Sequence, residues 1–342
     1  MMRNIYYILM ALLIICGCDK SSLSTNDTEY TNQYIFFDAS VETTKGTLVT
    51  GTALPSAAGT SFGVFAYRGA QNTPVFDMYS NNNNIAKLYR PEDNKPFKYD
   101  QLALWTAGEP HSFYAYYPYN ATSTITGIGQ NNGTAFITYS QPSNLDEMVD
   151  VMTASVRNTT SDKHTTSPVS FTFNHRLFAI GLTVVNAQTE SKSDVAITSA
   201  NIEFVGVNTS AEFNMDADDT YNIALSTGNI THTYTPTTIR GPQNNSSVSY
   251  NFNDGNEFLL IPCRSLQVNI NLKIKNVWKN ENGEEIYVEE IPYTLNKTIT
   301  PTGGFVAGKK YQLTVTKTDK GVEFVCELSS GWTSVDVPTD FE

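Results

Sequence analysis

Between Leu266 and Lys275 the chain alternates without a break: Leu266, Val268, Ile270, Leu272 and Ile274 are apolar, and Gln267, Asn269, Asn271, Lys273 and Lys275 between them are polar. A period of two is the geometry of a strand with one dry face, whereas on a helix the same residues would scatter around the axis. Whatever surrounds this segment must therefore be a sheet with a core on one side. The pattern recurs. Ile35, Phe37, Ala39 and Val41 alternate with Phe36, Asp38, Ser40 and Glu42; Phe62, Val64 and Ala66 begin another strand; Phe113–Tyr117 and Ala135–Tyr139 are aromatic strands; Val169, Phe171 and Phe173 continue it. Tyr311, Leu313 and Val315 form a further strand, and Val322, Phe324, Cys326 and Leu328 oppose Glu323 and Glu327. From Leu177 to Val185 both parities are apolar, as for a central strand covered on both faces. After the 266–275 strand, Asn280–Gly283 (NENG) offers turn residues and Ile286–Tyr293 returns, which predicts a hairpin.

No segment carries a helical stripe over three or more turns, and 19 Tyr, 18 Phe, 21 Gly and 14 Pro suit strands joined by tight turns. The expectation is an all-β protein of two β-sandwich domains in tandem. At ~150 residues per domain, 342 residues fit that number. The polar stretch Gln188–Asp194 (QTESKSD) marks the expected boundary, giving domains over 33–190 and 191–342. Acidic residues outnumber basic ones 34 to 22, a formal net charge of −12. That disfavours nucleic acid, so no nucleic-acid partner is expected, because releasing counterions from phosphates takes a basic face.

The first segment, MMRNIYYILMALLIICGC, has an early cation, Arg3, and an apolar run from Ile5 to Cys16. At about 12 residues this run is too short to span a bilayer, which takes ~20, and it reads as a signal peptide over 1–17. Its end, Ile15-Cys16-Gly17-Cys18, resembles the bacterial lipobox, so Cys18 is the expected lipidation site and first mature residue. Acyl chains on Cys18 would hold the protein on a membrane without a transmembrane helix. Residues 18–32, rich in Ser and Thr, then form a tether.

In their order and spacing, several segments carry a family resemblance. These are the lipobox leader; the strand Ile35–Val41 followed by Thr44-Lys45-Gly46-Thr47; Ser61–Tyr67 (SFGVFAY); Trp105 with Phe113–Pro118 (FYAYYP); Asp150–Ala154 (DVMTA); and Val169–Leu177 (VSFTFNHRL). Gly308–Tyr311 (GKKY) and Trp332 are compatible. The sequence resembles the fimbrillin, or Mfa-like, proteins of Bacteroidetes, which build type V pili. The resemblance implies transthyretin-like β-sandwiches, export as an outer-membrane lipoprotein, and assembly into a cell-surface fimbrium in place of catalysis. It implies a protease cut behind the first strand, usually after arginine, and replacement of the lost strand by one from a neighbouring subunit. On this chain the removed strand would be Ile35–Val41 and the donated segment would lie within Val322–Val337. The expected cut falls at Lys45–Gly46, where lysine stands in place of arginine. If nothing cuts there, Cys18 keeps its lipid and the protein is a membrane-retained anchor. The implied partners are other fimbrial subunits, the outer membrane through the lipid, a processing protease and surface ligands of host or bacterium.

A search for catalytic groups leaves little. His111, His164, His175 and His232 are scattered, with no His-Glu-x-x-His, and there is no nucleophile elbow, phosphate loop or dinucleotide fingerprint. The chain is expected to be no enzyme and to hold no cofactor or metal. Asp216-Ala217-Asp218-Asp219 lies between apolar strands and reads as a hairpin turn sooner than a calcium loop. Cys263 and Cys326 would remain after lipidation, either as a disulfide in an oxidising exported setting or as small buried apolar residues. The aromatic run Phe113–Tyr119 reads as sandwich core; the competing reading is a platform that stacks on sugar rings in a surface glycan-binding lipoprotein.

Overall fold

A computed structural model describes residues 34–41, 54–76, 84–100, 102–119, 124–131, 134–160, 168–188, 193–215, 222–239, 247–252 and 257–328. In chain order the strands are β1 (Phe37–Val41), β2 (Ser61–Arg68), β3 (Thr73–Pro74), β4 (Ile85–Tyr89), β5 (Pro110–Tyr117), β6 (Ile125–Asn131) and β7 (Thr134–Ser140). They continue with β8 (Met152–Thr160), β9 (Val169–His175), β10 (Phe178–Asn186), β11 (Ser193–Asn214), β12 (Asn222–Tyr234) and β13 (Thr237–Ile239). The last are β14 (Val248–Asn251), β15 (Phe258–Leu260), β16 (Leu266–Lys279), β17 (Glu285–Ile299), β18 (Lys310–Thr318) and β19 (Gly321–Leu328). The all-β expectation holds, and among the described residues the one helical turn is a single 3-10 turn at Leu145–Glu147.

The first sheet runs β1-β9-β8-β5-β2-β3, with β4 also on β2. One face of it is apolar: Phe62, Val64 and Ala66 of β2, Phe113 and Ala115 of β5, and Phe171 and Phe173 of β9 lie in the first core. Leu54, Phe76, Tyr99 and Ala103, from the connections, close that core. The opposite face is covered too. Phe65 of β2 and Tyr114 and Tyr116 of β5 belong to the second core, so the middle of this sheet is dry on both sides.

Two further sheets enclose the second core. One runs β14-β10-β18-β19 with β15 on β10; the other runs β17-β16-β11-β7-β6 with β12 and β13 on β11. Leu182, Val184, Leu313, Val315 and Cys326 from the first of these share one cluster with Ile137, Tyr139, Ile202, Val268 and Ile270 from the second, the interleaving of a sandwich. The apolar run 177–185 becomes β10, central between β14 and β18, as expected of a strand covered on both faces.

The stretch 188–194 joins β10 to β11, and ladder pairing crosses it in both directions. β10 pairs in parallel with β18 over Ala179–Asn186, and β7 pairs with the end of β11, Ser210↔Ser140 to Asn214↔Phe136. Strands from both sides of residue 190 therefore share sheets. A buried polar joint reinforces this: Arg176, 7% exposed, donates to the Asn214 carbonyl (3.0 Å) and the Thr153 hydroxyl, tying the end of β9 to β11 and β8.

Candidate assembly site

Among the described residues, β1 is the outermost strand of the first sheet and pairs with β9 alone, in parallel, from Phe37↔Val169 to Val41↔Phe173. The residues ahead of it are also held. The Ile35 N–H donates to the Ala103 carbonyl (2.9 Å), and the Ile35 carbonyl accepts from the Tyr99 hydroxyl (2.6 Å), which itself accepts from the Ala103 N–H (3.1 Å). The predicted alternation is realised. Ile35 and Phe37 are buried in the first core, while Phe36 is 37% exposed and Asp38 faces water. On the outer side the Ala39 N–H is satisfied by the Asp38 carboxylate (2.8 Å), an acidic cap of the kind that keeps an edge strand from pairing further.

Phe37 sits among four rings. Phe171 stacks on it at 5.7 Å between centroids, Phe113 meets it edge-on at 5.6 Å, and Tyr99 and Phe76 lie 5.7 and 6.4 Å away. Phe76 is set by Asn84, a buried residue at φ +66°. The Asn84 carbonyl oxygen accepts from the Val75 and Phe76 amides (3.1 and 2.9 Å), and its amide donates to the Ala66 carbonyl (2.8 Å). One side chain thus pins the 73–76 segment to β2. Burying Ile35 and Phe37 is worth roughly 1.5–3 kcal/mol each, so a handful of side chains and ladder bonds hold β1 in place.

At the other terminus β19 is an edge strand of the sandwich, antiparallel to β18, with Cys326 opposite Leu313 and buried. Residues 322–328 of the expected donor segment are thus built into the protein's own fold. Residues 329–337, with Trp332, lie outside the described residues, as do the leader, Cys18, residues 19–32, Lys45, Gly46, His164 and Asp216–Asp219. Cys263 and Cys326 are both thiols, with no disulfide between them. Cys326 is buried in the second core and Cys263 packs against it. Burial pushes the Cys263 thiol up to about 11.

Among the described residues, His111, His175 and His232 are kept apart. His111 is fully buried against Trp105 (5.0 Å between rings), and burial holds its pKa below the usual value. His232 lies against Tyr234 and Phe258, its pKa also lowered by burial. His175 bonds Asp150 at 2.8 Å, both side chains almost wholly buried. No group of three potential metal ligands occurs among the described residues. Phe113, Tyr114 and Tyr116 are each at most 3% exposed, which leaves them no face for a sugar, while Tyr117 and Tyr119 are half-buried at the edge of the run. Sequence reasoning missed Tyr99 and Asn84 as the parts that hold β1 and its pocket. Asp150 and His175 each stood inside a motif quoted above, but nothing in the spacing said that they meet.

The fimbrillin-like family model matches residues 47–330. No curated protein matches the chain. Among solved structures, a fimbrial protein from Bacteroides vulgatus is 17% identical, with a TM-score of 0.61 over 88% of this chain and 100% of that one. A fimbrial assembly protein from Parabacteroides distasonis is 13% identical, with a TM-score of 0.39 over 79% and 88%. The fimbrial anchor protein Mfa2 from Porphyromonas gingivalis is 11% identical, with a TM-score of 0.36 over 87% and 97%. Of these three, only the first is close enough for its fold to bear on this chain. With a model match over most of its length, on an all-β fold whose first described strand lies at a sheet edge, the chain belongs to the fimbrillin-like family.

Proposed function

We propose that this protein is a structural subunit of a cell-surface fimbrium, made as a lipoprotein acylated at Cys18 and polymerised by strand replacement. The observation that carries the reading is the placement of β1: the first described strand, at a sheet edge, whose alternate side chains fill the first core. Losing it would expose the β9 edge and the Phe37 pocket together. An incoming strand would regain both the ladder bonds and the apolar burial, which is the physics of β-augmentation. Cleavage at Lys45–Gly46 would free β1, and the segment beyond Leu328 of a neighbouring copy is the natural donor, since 322–328 is already engaged. Partners in this reading are other fimbrial subunits, a processing protease, the outer membrane through the lipid, and adhesion ligands at the surface.

One observation favours a second role within the same assembly. Lysine at 45, where the family resemblance leads to arginine, spares the chain from an arginine-specific protease, and an uncut chain would stay on the membrane as an anchor. The burial of Phe113, Tyr114 and Tyr116 weighs against the glycan-binding alternative. The test has two readouts. Surface extracts run without boiling show a ladder that collapses to one band on boiling if strands are exchanged; a single band in both lanes defeats polymerisation. The N-terminal residue of the surface form then separates the roles, Gly46 for a processed subunit and acylated Cys18 for an anchor.

A further inference from the structure

β9 is held by two different neighbours along its length. Its ladder with β8 is confined to Met152↔His175 and Thr153↔Asn174, whereas Val169 to Phe173 pair with β1. Beyond Thr153, β8 continues with β5 as its ladder partner. The Val169 N–H donates to the Phe36 carbonyl (2.7 Å), and because alternate residues of a strand bond the same neighbour, the Phe171 and Phe173 amides also turn toward β1. The first five residues of β9, Val169–Phe173, thus pair with β1, although Val169, Phe171 and Phe173 are themselves core residues.

The geometry points to a slot with a sequence requirement. Whatever strand occupies the β1 position runs parallel to β9, carries an aromatic side chain at the Phe37 register and a bulky apolar one at the Ile35 register. The Phe37 site is walled by Phe76, Tyr99, Phe113 and Phe171, and a smaller side chain leaves those rings facing a void. The Ile35 position is fully buried. The positions between are permissive, since Phe36 and Asp38 face outward. Direction matters because the N–H and the carbonyl at the Ile35 position meet different partners, the Ala103 carbonyl and the Tyr99 hydroxyl, which a reversed strand would exchange. This selectivity rests on the strand-replacement reading for its biological use, but the slot can be measured without any polymer.

The full chain is given a site-specific protease sequence in place of Thr43–Thr47, cut, and challenged with fluorescent peptides spanning Tyr34–Val41. The native peptide is expected to exchange into the slot. The same peptide with Phe37→Ala should bind about 100-fold more weakly, and one with the residue order reversed should not compete. An alanine peptide within about threefold of native, or a reversed peptide that competes equally, overturns the proposal. A second measurement uses the uncut chain. Phe37→Ala should speed hydrogen exchange at the Val169, Phe171 and Phe173 amides at least about tenfold over Phe36→Ala, with Ala115 and Ala154 of the β5–β8 ladder unchanged. Continued protection of Phe171 and Phe173 in Phe37→Ala also overturns it. A selective slot without ladders in surface extracts would sink the polymer reading alone; ladders with an unselective slot would sink this one alone.

Discussion

Gly63 shows how much one missing methyl carries. It stands opposite Tyr116 in the β2–β5 ladder, and a Cβ there would lie 2.2 Å from the tyrosine ring. Glycine weakens a strand interior, so its presence marks a close approach, here of the Tyr116 ring across the strand. Gly63→Ala should cost about 1–3 kcal/mol in urea unfolding and change the near-ultraviolet circular dichroism as Tyr116 is displaced; an unchanged midpoint would show that the ring moves aside freely. Proton chemistry belongs to the same scale. Burial raises the Tyr116, Tyr139 and Tyr234 hydroxyls above their ordinary value of 10.0, and it raises Cys263 from 9.0 to about 11. Between those two values the unfolded chain has released the Cys263 proton while the folded chain keeps it. The contribution of the Cys263 site to stability is therefore complete below about pH 9 and is lost as pH climbs through about 11. Urea midpoints at pH 8 and pH 10.5 should fall in that order, and Cys263→Ala should flatten the decline. Alkylation of Cys263 in the native protein should stay slow until the same range.

At the scale of the element, the β16–β17 hairpin separates what alternation can and cannot reveal. β16 was legible because its apolar residues all face the second core, and Leu266, Val268, Ile270, Leu272 and Ile274 are each at most 1% exposed. Its partner was legible as a strand, through the NENG turn in which Gly283 takes φ +82°, but not in its environment. β17 is the edge of its sheet, and Ile286, Tyr287 and Val288 are 65%, 56% and 42% exposed. Two strands of similar composition should thus respond differently. Ile270→Ala should cost about 2–5 kcal/mol, and Val288→Ala less than about 0.5, as read by thermal or urea unfolding. For β1 the relevant element is its latch. Tyr99→Phe keeps the ring in the Phe37 pocket but removes the hydroxyl that bonds the Ile35 carbonyl, and should weaken the hold on β1 by about 1 kcal/mol. Faster exchange at the Phe171 amide, with the β2–β5 ladder intact, is the measurement; no change would mean that the Ile35–Ala103 bond suffices.

For the whole molecule, the arrangement of sheets ties together stretches that composition separates. β10 is the central strand of one sandwich sheet and β7 extends the other, yet both precede residue 190. A chain beginning at residue 191 would lack the ladder partner of β18 on one side and that of the end of β11 on the other. Expressed alone, residues 191–342 should show no cooperative unfolding transition, whereas the full chain should; a sharp transition in the fragment would mean that β10 and β7 are dispensable to the second core. Arg176 argues in the same direction, because its buried guanidinium is satisfied by the Thr153 hydroxyl before residue 190 and the Asn214 carbonyl after it.

The sequence by itself determined the strand character of each alternating segment, the central position of the 177–185 run, and the apolar face that Ile35 and Phe37 turn inward, because side-chain parity is a local property of extended backbone. It left open which strands are neighbours. That β1 lies parallel to β9, that β10 crosses to β18, and that Tyr99 and Asn84 hold the slot together are decided by contacts between residues far apart in the chain, which no short-range period encodes. Ladder partners and pocket walls are set when whole sheets bury their faces against one another, and that is a property of the tertiary fold.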